Sequence, residues 1–326
     1  MNIIQSKNPH IGYLNFVSEL YGKAKETGNH VINIQNGLDF VLNNENIQTV
    51  FISLLDNATL VGHIGIIKYS VDEAFFGFFE IADKRHFEEL WLNTVAKAKK
   101  MGLKTIFGPV NGSVWHSYRV ISETDNEPFF LHEPITSLTY YQLFSEHNPS
   151  KTLTYYSAYR TNYETIVHVT SPSVENLHKQ GIEIKQEEAS LDLFEKIYQL
   201  ATEVFSQNPG YIPLSFDNFI KLYNQDNSKT NIALVYAAYQ NEKCIGFSYN
   251  ILSGNELIMK TIGVVSSMQE KGVGNALVNY VHSYATKNNI SKVIYALVRT
   301  DNKVKYFPKD KVTFFRRYMA FKYVLS

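Results

Sequence analysis

The chain is built on a repeat, and the repeat sets the number of folding units before any single motif is considered. Residues 60–67 (LVGHIGII) and 75–81 (FFGFFEI) read as strands, 87–100 as a helix and 104–107 (KTIF) as another strand. The same order returns as 244–251 (CIGFSYNI), 257–265, a helix over 275–288, and 292–298 (KVIYALV). The assignments rest on short β-rich runs bounded by turn residues and on apolar side chains at helical spacing. Gly62 falls on Gly246 and Lys104 on Lys292 at nearly the same spacing, which is repetition at domain scale. Residues 51–55 and 60–67 form a hairpin around Asp56-Asn57. The expected fold is α/β in the α+β sense. It comprises two tandem domains, each a mixed, mostly antiparallel twisted sheet flanked by helices. The boundary is expected where Ser, Pro and polar residues interrupt the pattern, over 170–180 (TSPSVENLHKQ). That gives domains 1–170 and 181–326. Residues 154–165 read as the last strand of the first domain and 313–325 as its counterpart at the chain end.

The chain has 326 residues, which suits two domains. Lys+Arg and Asp+Glu are both 31. That balance argues against a nucleic-acid or polybasic membrane surface. The single cysteine, Cys244, excludes an intrachain disulfide. In KCIG it reads as a small buried hydrophobe rather than a nucleophile. No leader and no span of membrane-crossing length is recognised, so a cytoplasmic protein is expected. The histidines show no metal-ligand spacing, and no Gly-x-Ser-x-Gly elbow occurs.

The halves differ at the strand-to-helix turn. In the second half it is Gln269-Glu270-Lys271-Gly272-Val273-Gly274, followed by Asn275. A helix N-terminus presents unpaired backbone N–H groups and partial positive charge, which suits a phosphate or pyrophosphate. Gly272 and Gly274 allow a sharp turn and close approach of an anion. The spacing is neither a Walker loop nor the three-glycine dinucleotide fingerprint. The first half has only Ala82-Asp83-Lys84-Arg85-His86 there. That linker is short and lacks glycine, so no such cradle is expected.

The second-half turn resembles the Arg/Gln-x-x-Gly-x-Gly/Ala signature of the GNAT acyltransferase superfamily, with Gln269, Gly272 and Gly274 in the marked positions. With both halves considered, the chain is similar to tandem-GNAT proteins over nearly its whole length, with a first domain that lacks cofactor. The resemblance implies that acetyl-CoA, or another short acyl-CoA, binds the second domain. The amides of 269–275 would then hold its pyrophosphate, and the Val264–Val265 backbone would pair with its pantetheine arm. Asn302 matches the family's cofactor-orienting Asn, and reads equally as a turn or cap in RTDN. The family's general-acid tyrosine position is Lys309 here, which leaves Tyr306 or Tyr318 as substitutes.

The implied activity is direct transfer of an acyl group to a primary amine of a small molecule or peptide, which needs positioning and proton removal more than covalent help. Glu256, just before the strand, is the candidate base, and also reads as a solvated strand end. Asn208 and Tyr211, in the connection between two helices (205–217), are candidate substrate contacts. In the first half, Gly108-Pro109-Val110-Asn111-Gly112 is a turn by its chemistry. It is expected to present Trp115, His116 and Tyr118 to a substrate. The acidic stretch 122–134 reads as a solvated charge run or as a holder of a cationic amine. Two rivals are a tRNA-dependent aminoacyl transferase of the tandem-GNAT type and a non-catalytic acyl-CoA-binding protein.

Overall fold

The computed structural model describes all residues except 23–24, 225–230, 302–310 and 326. In chain order the elements are β1 (Asn2–Ser6), α1 (Tyr13–Tyr21), α2 (Lys25–Leu42), β2 (Gln48–Asp56), β3 (Thr59–Lys68), β4 (Glu73–Ile81) and α3 (Phe87–Lys100). Next come β5 (Thr105–Gly108), β6 (Val110–Asn111), β7 (Ser117–Tyr118), β8 (Val120–Thr124), α4 (Leu138–Glu146) and β9 (Lys151–Arg160). They are followed by α5 (Glu164–Lys179), β10 (Ile182–Glu187), α6 (Leu191–Phe205), α7 (Phe216–Asn224), β11 (Asn231–Gln240) and β12 (Lys243–Ser253). The chain closes with β13 (Glu256–Val264), α8 (Val273–Lys287), β14 (Lys292–Arg299) and β15 (Val312–Val324).

Two compact units result. One is residues 1–155 with 316–326, the other residues 156–315. In the first, β1 to β4 pair antiparallel in sequence order, β4 pairs parallel with β5, and β5 pairs antiparallel with the end of β15. One sheet face buries Leu54, Ile64, Phe76 and Phe79 against Leu90 and Trp91 of α3 and Phe144 of α4. In the second, β10 to β13 pair antiparallel, β13 pairs parallel with β14, and β9 follows β14.

Each unit carries the same irregularity, a β-bulge in the strand that precedes the turn. In β4 it falls at Phe78, whose φ is 50°. In β13 it leaves Lys260 as the extra residue. Parallel pairing covers only 73–75 with 105–107 in the first unit and 256–259 with 292–295 in the second. Beyond those residues the two strands part, which leaves the far half of β4 and of β13 with an edge for other occupants.

The stretch 170–180 is not a linker. It lies mostly inside α5, which carries Pro172 in its interior. The strand read over 154–165 ends at Arg160. An interior proline costs a helix about 3 kcal/mol, and tertiary packing outweighs it here. Ile166, Thr170 and Leu177 are buried along one face. The amide of Asn279, on α8, donates to the Val167 carbonyl at 2.8 Å and to Thr170 Oγ1 at 2.9 Å. The chain end is also displaced from its expected place, because residues 316–326 complete the first unit rather than the second.

Two wholly buried histidines report on this packing. His63 on β3 places Nδ1 2.8 Å from the Phe78 carbonyl, and burial lowers its pKa to about 4. His282 on α8 sits between the Val278 carbonyl and the Tyr295 hydroxyl, each 2.8 Å away, and is also lowered to about 4 by burial. Both folded values lie below the ordinary 6.5, so the unfolded chain takes up protons that the folded chain refuses. Their contribution is complete above pH 6.5 and lost as pH falls toward 4. At pH 5 each should cost about 2 kcal/mol relative to pH 7.5. Urea titrations at the two pH values check this, and His63→Phe should flatten the dependence by about a third, because burial lowers His116 as well.

Candidate functional site

The turn after β13 builds an anion cradle from backbone alone. After Val264 come a single 3-10 turn (Ser266–Met268) and Gly272 as N-cap of α8, with φ 93°. A left-handed φ strains any residue with a Cβ. A Cβ at Gly272 would also meet Ser173 of α5 at 3.3 Å. The first donation within α8 is Ala276 N–H to the Gly272 carbonyl, at 2.9 Å. The amides of Val273, Gly274 and Asn275 precede it. No side chain caps this end and no acidic residue stands in the first helical turn. Gln269, Glu270 and Lys271 are exposed around the turn, and Gln269 reaches back to donate to the Val264 carbonyl at 3.4 Å.

The edge of β13 leads into that cradle. Val265 donates its N–H to the Ile245 carbonyl at 3.0 Å, so it has none left for an added strand. In an antiparallel ladder the alternate residues face the other way, so Val264 and Ile262 aim their backbone N–H and C=O groups at the parted edge. The pairing expected of 264–265 therefore falls on Val264 alone. Gly274 has only Val264 Cγ2 near its Cβ direction, at 3.9 Å. The residues thus fit a pyrophosphate followed by an extended, amide-bearing chain.

The first unit closes both features. Its turn is capped by the chain's own carboxylate, with Asp83 accepting from the Arg85 N–H at 2.9 Å. Glu88 and Glu89 occupy the first turn of the helix that follows. Its parted strand edge is filled from within by Val110–Asn111. Asn111 Oδ1 accepts the Phe78 N–H of the bulge at 2.6 Å. A Cβ at Gly77 would lie 1.8 Å from the Val110 carbonyl oxygen, and one at Gly37 2.3 Å from that of Asn111. Glycine at both positions lets this plug seat. No sequence signal other than those glycines announced it.

The remaining expected residues fall in varied places. Glu256 does not suit a catalytic base. It starts β13, at the end remote from the cradle, and is paired with Lys292 at 3.0 Å. Four residues separate it from the bulge, about 13 Å of strand. Asn208 is exposed and Tyr211 half-buried in a turn closed by Tyr211 N–H to the Asn208 carbonyl, at 3.0 Å. That connection is anchored by the Tyr198 hydroxyl on the Leu214 carbonyl at 2.8 Å. Asn302, Tyr306 and Lys309 lie outside the described residues.

In the first unit His116 is half-buried, with Nδ1 2.9 Å from Ser113 Oγ and its ring against Phe40, and desolvation lowers its pKa to about 3. The Trp115 N–H donates to the same Ser113 oxygen at 3.3 Å. The Arg119 guanidinium lies over Tyr118, 3.6 Å from its ring centre, and 4.0 Å from that of Tyr155, whose ring stands perpendicular to Tyr118. Tyr318, the other candidate acid, is buried in the first unit with its hydroxyl on Glu133. Glu133 in turn is paired with Arg316 at 2.6 Å, so this part of the acidic stretch holds a cation of the chain itself.

Two residues near the second unit's edge went unnoticed in the sequence. Ser173 packs against Gly272, and Lys260 at the bulge lies 5.3 Å from the Tyr223 ring and 5.8 Å from that of Tyr249. Neither position carries a motif.

Residues 194–306 match the model of the acetyltransferase (GNAT) family. Among solved structures, a tandem GNAT protein from the clavulanic acid biosynthesis pathway aligns over 100% of this chain and 99% of its own, with TM-score 0.58 and 9% identity. A conserved protein of unknown function from Enterococcus faecalis, a probable N-acyltransferase, aligns over 100% of this chain and 73% of its own, with TM-score 0.60 and 11% identity. A GCN5-related N-acetyltransferase from Anabaena variabilis aligns over 100% and 73%, with TM-score 0.58 and 10% identity. Such identities speak to the fold. No curated protein matches the sequence. The second unit thus matches the GNAT family model, and the whole chain shares the fold of a tandem GNAT protein. Among the described residues no helix is long and apolar enough to cross a membrane.

Proposed function

We propose that this protein is an acyl-CoA-dependent N-acyltransferase whose second unit alone holds the cofactor and whose acceptor is a primary amine of a small molecule or peptide. The observation that carries this reading is the uncapped N-terminus of α8 behind a left-handed Gly272, at the end of a β13 edge that has parted from β14. Acetyl-CoA, or another short acyl-CoA, would supply the acyl group as a thioester. The amides of Val273, Gly274 and Asn275 would bind its pyrophosphate. Val264 and Ile262 would orient the extended arm by backbone pairing, and an N–H on this edge would steady developing negative charge on the carbonyl. Asn208 and Tyr211 are proposed to contact the acceptor.

Transfer is proposed to be direct, in a ternary complex. Cys244 is half-buried with Sγ 3.6 Å from the Gly246 carbonyl, and burial raises its thiol pKa. A thiolate is disfavoured there. Cys244→Ala should keep most of the activity. An inactive but folded variant, with an acylated Cys244 peptide in the wild type, would require a ping-pong route instead.

The commitment of Tyr318 to Glu133 favours one second reading, an acyl-CoA-binding protein that does not transfer. Release of free thiol from acetyl-CoA in the presence of a panel of primary amines separates the two. Amine-dependent release supports the transferase. Binding without release under every amine supports the second reading.

A further inference from the structure

The first unit contains a buried polar cluster that the acyl-transfer reading does not use. His63 on β3 and Glu80 on β4 are direct cross-strand partners, so their side chains share a sheet face. Tyr13 of α1 stacks on the His63 ring, 3.9 Å between centres. His30 of α2 stands with Nε2 3.9 Å from Glu80 Oε1, too far for a hydrogen bond. Tyr21 and Tyr140 donate their hydroxyls to the other carboxylate oxygen, at 2.9 and 2.8 Å. Tyr13, His30, His63 and Glu80 are each no more than 3% exposed.

Several of these groups lack partners among the described residues. Tyr13 Oη, both ring nitrogens of His30 and Nε2 of His63 are buried without a hydrogen bond. A buried polar group left so costs about 1–3 kcal/mol. The set is biased in sign. With His63 Nδ1 donating to Phe78, its Nε2 is an acceptor, and so is Glu80 Oε1. In their neutral forms His30 and Tyr13 would each offer one donor and one acceptor. No Lys or Arg among the described residues pairs with Glu80. The cluster therefore shows an excess of acceptors around one carboxylate. The second unit has an apolar pair in the same place: Phe247 and Gly263 adjoin Gly246 and Val264 as His63 and Glu80 adjoin Gly62 and Ile81.

We propose that this cluster binds a small cation rich in N–H donors, ammonium or the head of a small primary amine, between Glu80, His63, His30 and Tyr13. Four or three N–H groups and one positive charge match the acceptors and the carboxylate, where a water has only two donors and no charge. A metal ion does not suit the set, because no group of His, Cys, Asp or Glu among the described residues has metal-holding geometry. The proposal stands independently of acyl-CoA binding by the second unit.

The test uses the full chain at pH 8 and constant ionic strength, with ammonium, methylammonium, potassium and tetramethylammonium chlorides as probes. The melting temperature should climb with the logarithm of ammonium or methylammonium concentration and not with the other two. A slowly exchanging signal from bound ¹⁵N-ammonium should appear in proton NMR. Response to ammonium alone would assign the free ion, and response to methylammonium the amine head. Both effects should be lost in Glu80→Gln, which keeps an acceptor for the tyrosine hydroxyls, and in His63→Phe, which copies the second unit. Equal melting curves in all four salts, or an ammonium effect that survives in both folded variants, would overturn the proposal.

Discussion

Glu133→Ala should lower the stability of the first unit by about 3–5 kcal/mol, the cost of stranding a buried charge. The charge stranded is Arg316, on the segment of β15 that closes the first unit. It bonds Glu133 at 2.6 Å, the Glu127 carbonyl at 2.6 Å and Thr124 Oγ1 at 2.9 Å, and stacks on the Phe129 ring. A buried pair of this kind is nevertheless weak evidence of net stability. Burial pushes the Glu133 carboxyl above its usual range, outweighing Arg316 and the Tyr318 hydroxyl. Replacing both partners with apolar residues, Glu133→Leu with Arg316→Met, should therefore recover much of the loss. Urea unfolding of the single and double variants measures this. A single variant within 1 kcal/mol of wild type (about a fivefold change in the unfolding constant) would show that the C-terminal segment is not held by this pair.

The second large effect concerns the cradle. Gly274→Glu should weaken acetyl-CoA binding on the order of 100-fold or more by placing a carboxylate among the amides proposed to face the pyrophosphate. Gly274 suits this experiment better than Gly272. Its Cβ direction meets only Val264, at an ordinary 3.9 Å, whereas a side chain at Gly272 would strain a left-handed φ and press on Ser173 of α5. A change at Gly272 would mix lost packing between α5 and α8 with lost binding. Gly274→Ala serves as control, and should fold and bind nearly as wild type. Calorimetry on the three proteins gives the answer.

What the sequence revealed and what it concealed have physical causes. The β-rich runs at 60–67, 75–81 and 292–298 became β3, β4 and β14 because their apolar residues match a buried, pleated surface. The glycine turn and the helix after it were legible because φ 93° at Gly272 is a local demand that glycine meets. Ser-Pro at 171–172 misled, since the rule that proline breaks helices holds until long-range packing against Asn279 offsets it. The destination of β15 was hidden for a similar reason. Nothing local in Phe314-Phe315-Arg316-Arg317 says that its partners are residues 105–108 and 120–124. Nor could spacing show that Asn111 answers the Phe78 amide, or that Lys292 already holds Glu256.

One unit is proposed to bind acyl-CoA, and the other has filled its own place for it. In the second unit, Gly272 turns the chain and leaves the α8 amides without a cap. In the first, Asp83 caps the turn and Asn111 occupies the bulge amide. Isothermal calorimetry of the full chain with acetyl-CoA tests this most directly. A single site per chain is expected in the wild type, with no measurable heat of binding in Gly274→Glu. Two equivalent sites per chain, or an affinity unchanged by a carboxylate at position 274, would contradict it.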